Sequence, residues 1–323
     1  MLVRLIVAVA LLLPQAPIER PREVDALTDT ADTDRWNGRF DQAIAIYREA
    51  IAINPGNARA RRSLGQALDF TGQHADARAQ YQAVIEGAAQ PSEYMFLDIA
   101  VSYVFERRFD DAQAALQRWA DLSAARGERD PNEALLFFQL AIARGAFDEA
   151  ERIIEPYYAP LGKPAPLVSS PTLDSNALVP RLRWMRYSAE RAAMSARAGR
   201  AADARRWMAE TEAQAKNIQD VLTAFTAATG ADTGGLKPYD HLAPTAGEVA
   251  FYLGDAAGAI RLLSIASSRS SRFNLVLGQA YEREGKPAEA RAAYAGVLKE
   301  TGLSIEVAWT LPIAQARLAA LGR

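Results

Sequence analysis

The chain of 323 residues contains no cysteine. That absence removes disulfides, thiolate zinc sites and cysteine nucleophiles together, and it is compatible with an oxidising compartment. Histidine is almost missing as well, with His74 and His241 the two in the chain. Imidazole chemistry, as general base or metal ligand, therefore has two places to sit, and no HExxH is present. Neither charge is in excess: 37 basic residues face 39 acidic ones, for a net charge of −2. Counterion release from nucleic acid needs clustered Lys and Arg, and no half of the chain is a basic block, so a nucleic-acid partner is not expected. Long apolar runs are scarce too. Leu5–Leu13 is nine residues, short for a bilayer span.

What is present is a globular composition, 50% hydrophobic and 24% charged, and a repeated frame. Leu277–Val297 reads LGQAYEREGKPAEARAAYAGV. Ala290, Tyr294 and Val297 follow one another at helical spacing and share one face. Gly278 and Ala290 are small where two helices would approach, and Tyr281 and Tyr294 fill the space beside them, with Gly285 at the turn between. The same frame recurs at Ala43, Ala77, Ala112, Ala150, Ala204 and Ala259. A glycine lies five residues before each alanine, at Gly38, Gly72, Gly145, Gly199, Gly254 and Gly285; the third copy has Arg107 instead. Successive alanines are 34, 35, 38, 54, 55 and 31 residues apart, so the two long gaps read as one repeat plus an insert. Phe138 replaces the small residue of the fourth copy, and its bulk is expected to push those helices apart.

A 34-residue period with this small–aromatic pattern resembles the tetratricopeptide repeat. The resemblance implies an all-α fold, a right-handed α-solenoid of about seven helix–turn–helix hairpins with two loop inserts. The expected organisation is a signal peptide or N-terminal anchor at 1–16, an N-terminal block at 17–158, a proline-rich linker at 159–180 and a C-terminal block at 181–323. Met1–Leu13 has one charge, Arg4, ahead of its apolar run, and Ala16 follows, which describes an exported chain. Prolines 156, 160, 164, 166, 171 and 180 are dense enough that no helix is expected through them. At the C-terminal end, Pro312 suits a first turn of a closing helix, with Gly322 just past its end.

Catalytic patterns are not found. His74 reads as an exposed turn residue. His241 adjoins Asp240 within the insert at 227–244, where adjacent residues rarely face each other productively. The glycines 230, 234 and 235 with Lys237 fail as a phosphate loop, because Leu236 intervenes and no Ser or Thr follows. The serines at 169–170 and 267–271 fit no nucleophile elbow. Asp29, Asp32 and Asp34 lack the calcium-loop order and read as a solvated first helix or linker. Acidic pairs such as Asp110–Asp111 and Asp148–Glu149 stand where second helices begin and complement the helix dipole. No cofactor and no metal are expected, and the chain reads as no enzyme.

In proteins that the frame resembles, first helices line a groove that holds a partner's extended or helical segment. Carried onto this chain, the resemblance implies groove positions at Arg59, Arg62, Gln66, Tyr94, Leu97, Val101, Leu135, Gln139, Arg272, Leu275 and Gln279. The family's chaperone-tail clamp uses paired Lys and Asn, and Arg and Gln stand here instead, so an acidic chaperone tail is not the expected ligand. The expected function is a protein-binding scaffold in a bacterial envelope complex, periplasmic or envelope-associated. Its membrane contact would run only through an uncleaved N-terminus. A cytoplasmic or membrane-tethered adaptor, and an enzyme or small-ligand binder using the 227–244 insert, are the alternatives.

Overall fold

The computed structural model describes residues 21–89, 92–127, 133–158, 175–231, 238–266 and 270–322. All regular structure among these residues is α-helical. The expected N-terminal signal or anchor at 1–16, the core of the proline-rich linker at 159–174 and the glycine-rich stretch at 232–237 lie outside the described residues.

The chain separates into two compact units, residues 1–95 and 96–323. In the first, α1 (Pro21–Trp36) pairs with α2 (Phe40–Ile53), and α3 (Ala58–Phe70) pairs with α4 (His74–Gly87). The boundary falls within α5 (Tyr94–Phe105). In the second unit, α6 (Phe109–Ala125) is followed by the pairs α7 (Glu133–Ala143) with α8 (Phe147–Tyr158) and α9 (Ser175–Arg197) with α10 (Ala201–Thr229). The pairs α11 (Pro238–Tyr252) with α12 (Ala256–Ile265) and α13 (Ser271–Arg283) with α14 (Pro287–Val297) come next, and then α15 (Ile305–Leu321).

The sequence frame is the packing frame. Ala43, Ala77, Ala112, Ala150, Ala204, Ala259 and Ala290 are all 0% exposed. Four residues further on, Tyr47, Tyr81, Leu116, Ile154, Met208, Leu263 and Tyr294 are all buried. Each aliphatic side chain of that set removes enough apolar area from water to contribute about 1.5–3 kcal/mol. Two of the three tyrosines need glycine opposite them: a Cβ on Gly65 would lie 2.4 Å from the Tyr81 ring, and one on Gly278 would lie 2.4 Å from the Tyr294 ring. Phe138, at the equivalent place in the fourth hairpin, is buried in one cluster with Ile154.

Each turn needs a left-handed residue. Gly38, Gly72, Gly145, Gly199, Gly254 and Gly285 have φ between 68° and 95°, and their amides close the preceding helix. Arg107 takes the same conformation at φ 58°, the one non-glycine with positive φ among the described residues. Acidic residues stand in the first turns of α2, α4, α6, α8, α10 and α14, where they complement the dipole.

The prolines correct the sequence reading. Pro156 lies within α8, Pro180 within α9 and Pro312 in the middle of α15. An interior proline costs about 3 kcal/mol, and tertiary burial offsets it at each place. Tyr158 stacks on Tyr187 with centroids 4.9 Å apart, Leu178 and Arg181 are buried around Pro180, and Leu311 and Ala314 are buried around Pro312. The described residues of the second insert are also largely helical: α10 continues to Thr229, Gly230 caps it at φ 69°, and α11 starts at Pro238. One hydrophobic cluster runs from Phe138 through Met185 and Ile218 to Val249, so the packing is continuous on both sides of the proline-rich stretch.

Candidate protein-binding surface

In the first unit, Arg59 is half exposed and is already engaged. Its guanidinium donates to Asp29 at 2.7 Å and to Asp32 at 2.6 Å, tying α3 to α1. Asp32 also accepts from the Tyr47 hydroxyl at 2.5 Å. Burial acts to raise the Asp32 carboxyl, and the hydrogen bonds from Tyr47 and Arg59 outweigh it, holding the group below the usual carboxylate range. The aspartates therefore belong to a folded first helix as an ion-pair partner. Arg62 and Gln66 are half-buried on α3, and Tyr94 is 49% exposed.

Helices α5 and α7 read YMFLDIAVSYVF and EALLFFQLAIA, apolar most of the way round. Such a helix is expected to be buried on all sides or to bind something. Leu97 on α5 is only half-buried, as are Leu135, Leu136, Phe137 and Gln139 on α7. Val101 differs from its groove assignment, because it is 3% exposed and belongs to the packing.

Helix α13 departs furthest from expectation. Arg272 is 7% exposed and Leu275 is 2% exposed, so neither is open to a partner. Leu275 lies on the buried stripe of α13. Arg272 is held in a charge network: 2.9 Å from Glu248 on α11 and 3.4 Å from Glu190 on α9. Arg197 on α9 donates through Nε to the same Glu248 at 2.9 Å. Burial acts to raise the Glu248 carboxyl, and the two guanidinium groups outweigh it and hold it below its ordinary value. Arg272 is shifted upward: desolvation opposes its charge, and the carboxylates of Glu190, Glu248 and Glu306 outweigh that. Gln279 alone of the three α13 candidates stays half-exposed, lining a cleft of about 450 Å³ with Phe251, Tyr252, Glu282, Arg283 and Arg317.

Sequence reading missed Glu190 and Glu248 as partners of Arg272, and Arg197 as the second partner of Glu248. The available signal was Glu248 itself, a carboxylate in the apolar run TAGEVAF of α11.

His74 is also placed differently from expectation. It opens α4 with its ring Nδ1 3.0 Å from the Asp69 carboxylate and its side chain 16% exposed. The buried Asp69 accepts from the Tyr81 hydroxyl at 2.9 Å as well. This cluster fastens the second hairpin's turn. The side chains of Asp240 and His241 lie outside what is described, as do Ser169, Ser170, Gly234, Gly235 and Lys237. No group of three or more His, Asp or Glu among the described residues is arranged to hold a metal ion, and no helix among them is long and apolar enough to cross a membrane.

Two family models match the chain, both described as tetratricopeptide repeat, at residues 37–95 and 245–304. No curated protein matches. Among solved structures, the chain is similar to a tetratricopeptide repeat protein from Parabacteroides merdae, at 12% identity and TM-score 0.47, over 94% of this chain and 100% of that one. It is similar to PilF of Pseudomonas aeruginosa at 13% identity and TM-score 0.41, over 85% and 98% of the two chains. A third likeness is to Naa15/Naa10 bound to HypK-THB, at 12% identity and TM-score 0.35, over 92% of this chain and 41% of that one.

Proposed function

The chain is a tetratricopeptide-repeat protein, and we propose that it is a non-enzymatic scaffold that holds an extended or helical segment of a protein partner on its first helices. The observation that carries the proposal is the half-exposure of apolar side chains on α5 and α7, at Leu97, Leu135, Leu136 and Phe137. In a hairpin array each first helix is covered on one side by its own second helix, and the opposite side is left for a ligand. The half-exposed apolar side chains supply binding area, and half-buried Gln139 supplies a hydrogen-bonding group on the same helix as Leu135. The partner expected is an amphipathic segment whose apolar face meets these residues.

The test is an in-cell crosslinking capture with the unaltered chain as bait, beside a bait carrying Leu97→Glu and Leu135→Glu. Far-UV circular dichroism checks that the second bait keeps its helices. A partner captured by the first bait and lost by the second supports the reading. The same partner on both baits overturns it.

We further propose that the chain is exported and works in a bacterial envelope; what supports export is the apolar run Leu5–Leu13 behind Arg4, which has the form of an export signal. N-terminal sequencing of the mature chain tests this. Removal of the residues before Pro17 is the expected result, and a retained Met1 in a soluble cell fraction contradicts it.

A further inference from the structure

Helix α15 reaches further than a closing helix needs to. It packs on α13 and α14, the hairpin it follows, and also on α7, three hairpins earlier in the chain. The helices α7 and α13 are both first helices of their hairpins. Between them, Trp309 of α15 packs on the cluster built from α7 to α11, and the guanidinium of Arg197 on α9 sits 5.5 Å from the Trp309 ring centroid. Glu306 caps the start of α13, accepting from the Ser271 hydroxyl and the Arg272 amide at 3.0 Å each. A single helix thus engages the first helices of the fourth, fifth and seventh hairpins. The proposed function gives a partner helix the same kind of surface.

We propose that the first-helix face of hairpins four to seven is a helix-binding surface whose resident occupant is the chain's own α15, which gives way to a partner helix of like chemistry. That chemistry is an acidic residue in the first turn and an indole one turn later, set among residues that are mostly apolar. The proposal concerns regulation of the scaffold's binding face and rests on that reading.

Two features make α15 a releasable occupant rather than a fixed part of the core. The first is what lies beneath it. Arg197 and Arg272, which meet Trp309 and Glu306, belong to the network with Glu248 and Glu190, and the side chains of Arg197, Glu248 and Arg272 are 4%, 0% and 8% exposed. Burying charges carries a desolvation cost that an apolar interface does not, so uncovering this surface returns hydration to it. The second feature is α15 itself. Pro312 interrupts its hydrogen bonding, and its burial is confined to Ile305–Ala314, with Gln315, Ala316, Arg317, Ala319 and Ala320 exposed.

The test uses the full chain and a fluorescein-labelled synthetic peptide of residues 303–323 as probe. In the unaltered chain α15 competes with the probe, and the apparent dissociation constant is raised by the small fraction of open molecules. Trp309→Ala weakens the resident helix and not the probe, so probe binding is expected to tighten about tenfold or more. Equal affinity for the two chains, or binding to neither, overturns the proposal. Native-state hydrogen exchange on the unaltered chain keeps the test decisive if Trp309→Ala does not fold. The α15 amides are expected to exchange at least about tenfold faster than the α13 amides, as a separate opening unit. Protection equal to that of α13 overturns the proposal. The probe is the chain's own segment, so a failure here leaves the partner capture on α5 and α7 standing as an independent result.

Discussion

The guanidinium of Arg272 on α13 lies 2.9 Å from the carboxylate of Glu248 on α11, and both side chains are nearly free of water contact. Arg197 and Glu190, both on α9, complete the cluster from the other side. Three successive first helices, α9, α11 and α13, are therefore fastened by charge, and on α13 this takes the place of the open surface that sequence reasoning assigned to Arg272 and Leu275.

Removing one partner of such a cluster leaves an uncompensated buried charge. Arg272→Ala is expected to destabilise the second unit by about 3–5 kcal/mol, read as a lowered midpoint in urea or guanidinium unfolding. An effect under about 1 kcal/mol would place Arg272 in a solvated setting.

Acid should weaken the same cluster. The folded pKa of Glu248 lies below its ordinary value of 4.5, so its contribution is fully present above pH 4.5 and is lost as pH falls through the folded value. The stability gap between the unaltered chain and Glu248→Gln is therefore expected to be widest near neutral pH and to narrow below about pH 4.5. Unfolding curves at a series of pH values check this, and a gap that widens on acidification contradicts the assignment.

Gly278 and Tyr294 form a matched pair. Gly278→Ala puts a Cβ 2.4 Å from the tyrosine ring and is expected to cost about 1–3 kcal/mol through overpacking. Adding Tyr294→Leu recreates the residue pair of the third hairpin, Ala100 with Leu116, both 0% exposed. The double variant should therefore lose less than the sum of the two single variants. Strict additivity in a double-mutant cycle would show that the two residues are not coupled.

Arg107 stands where six hairpins have glycine, at φ 58°. A left-handed conformation costs an L-residue about 1–2 kcal/mol, and glycine's greater unfolded-state entropy takes back about 0.5–1 of that. Arg107→Gly should stabilise the protein by about 0.5–1 kcal/mol, seen as a raised thermal midpoint.

The hairpin frame was legible in the sequence because it is written in local spacing. The buried alanines, the turn glycines and the tyrosines on Gly65 and Gly278 are all fixed by residues a few turns apart. The prolines misled because their cost is local while the burial of Tyr158, Leu178 and Leu311 that offsets it is tertiary. Arg272 and Leu275 were assigned to a groove by position in the repeat, and nothing near them in sequence announces Glu190 or Glu306. His74 was read from its turn, and the buried Asp69 five residues earlier gave it a different setting. Val101 was assigned with Leu97 by position in the repeat, and on a helix apolar most of the way round the pattern does not distinguish a covered face from an open one. Leu97, Leu135 and Gln139 do keep partial exposure, and on them the proposed binding face rests.

The most direct measurement of that face is site-specific photocrosslinking in cells. A photoreactive residue is placed singly at Leu97 and Leu135 on first helices, and at Gln82 and Gln117, which are exposed on the second helices α4 and α6. The account predicts a crosslinked protein band of the same size from positions 97 and 135, and none from 82 and 117. Crosslinks that arise from the second-helix positions and not from Leu97 and Leu135 would contradict it.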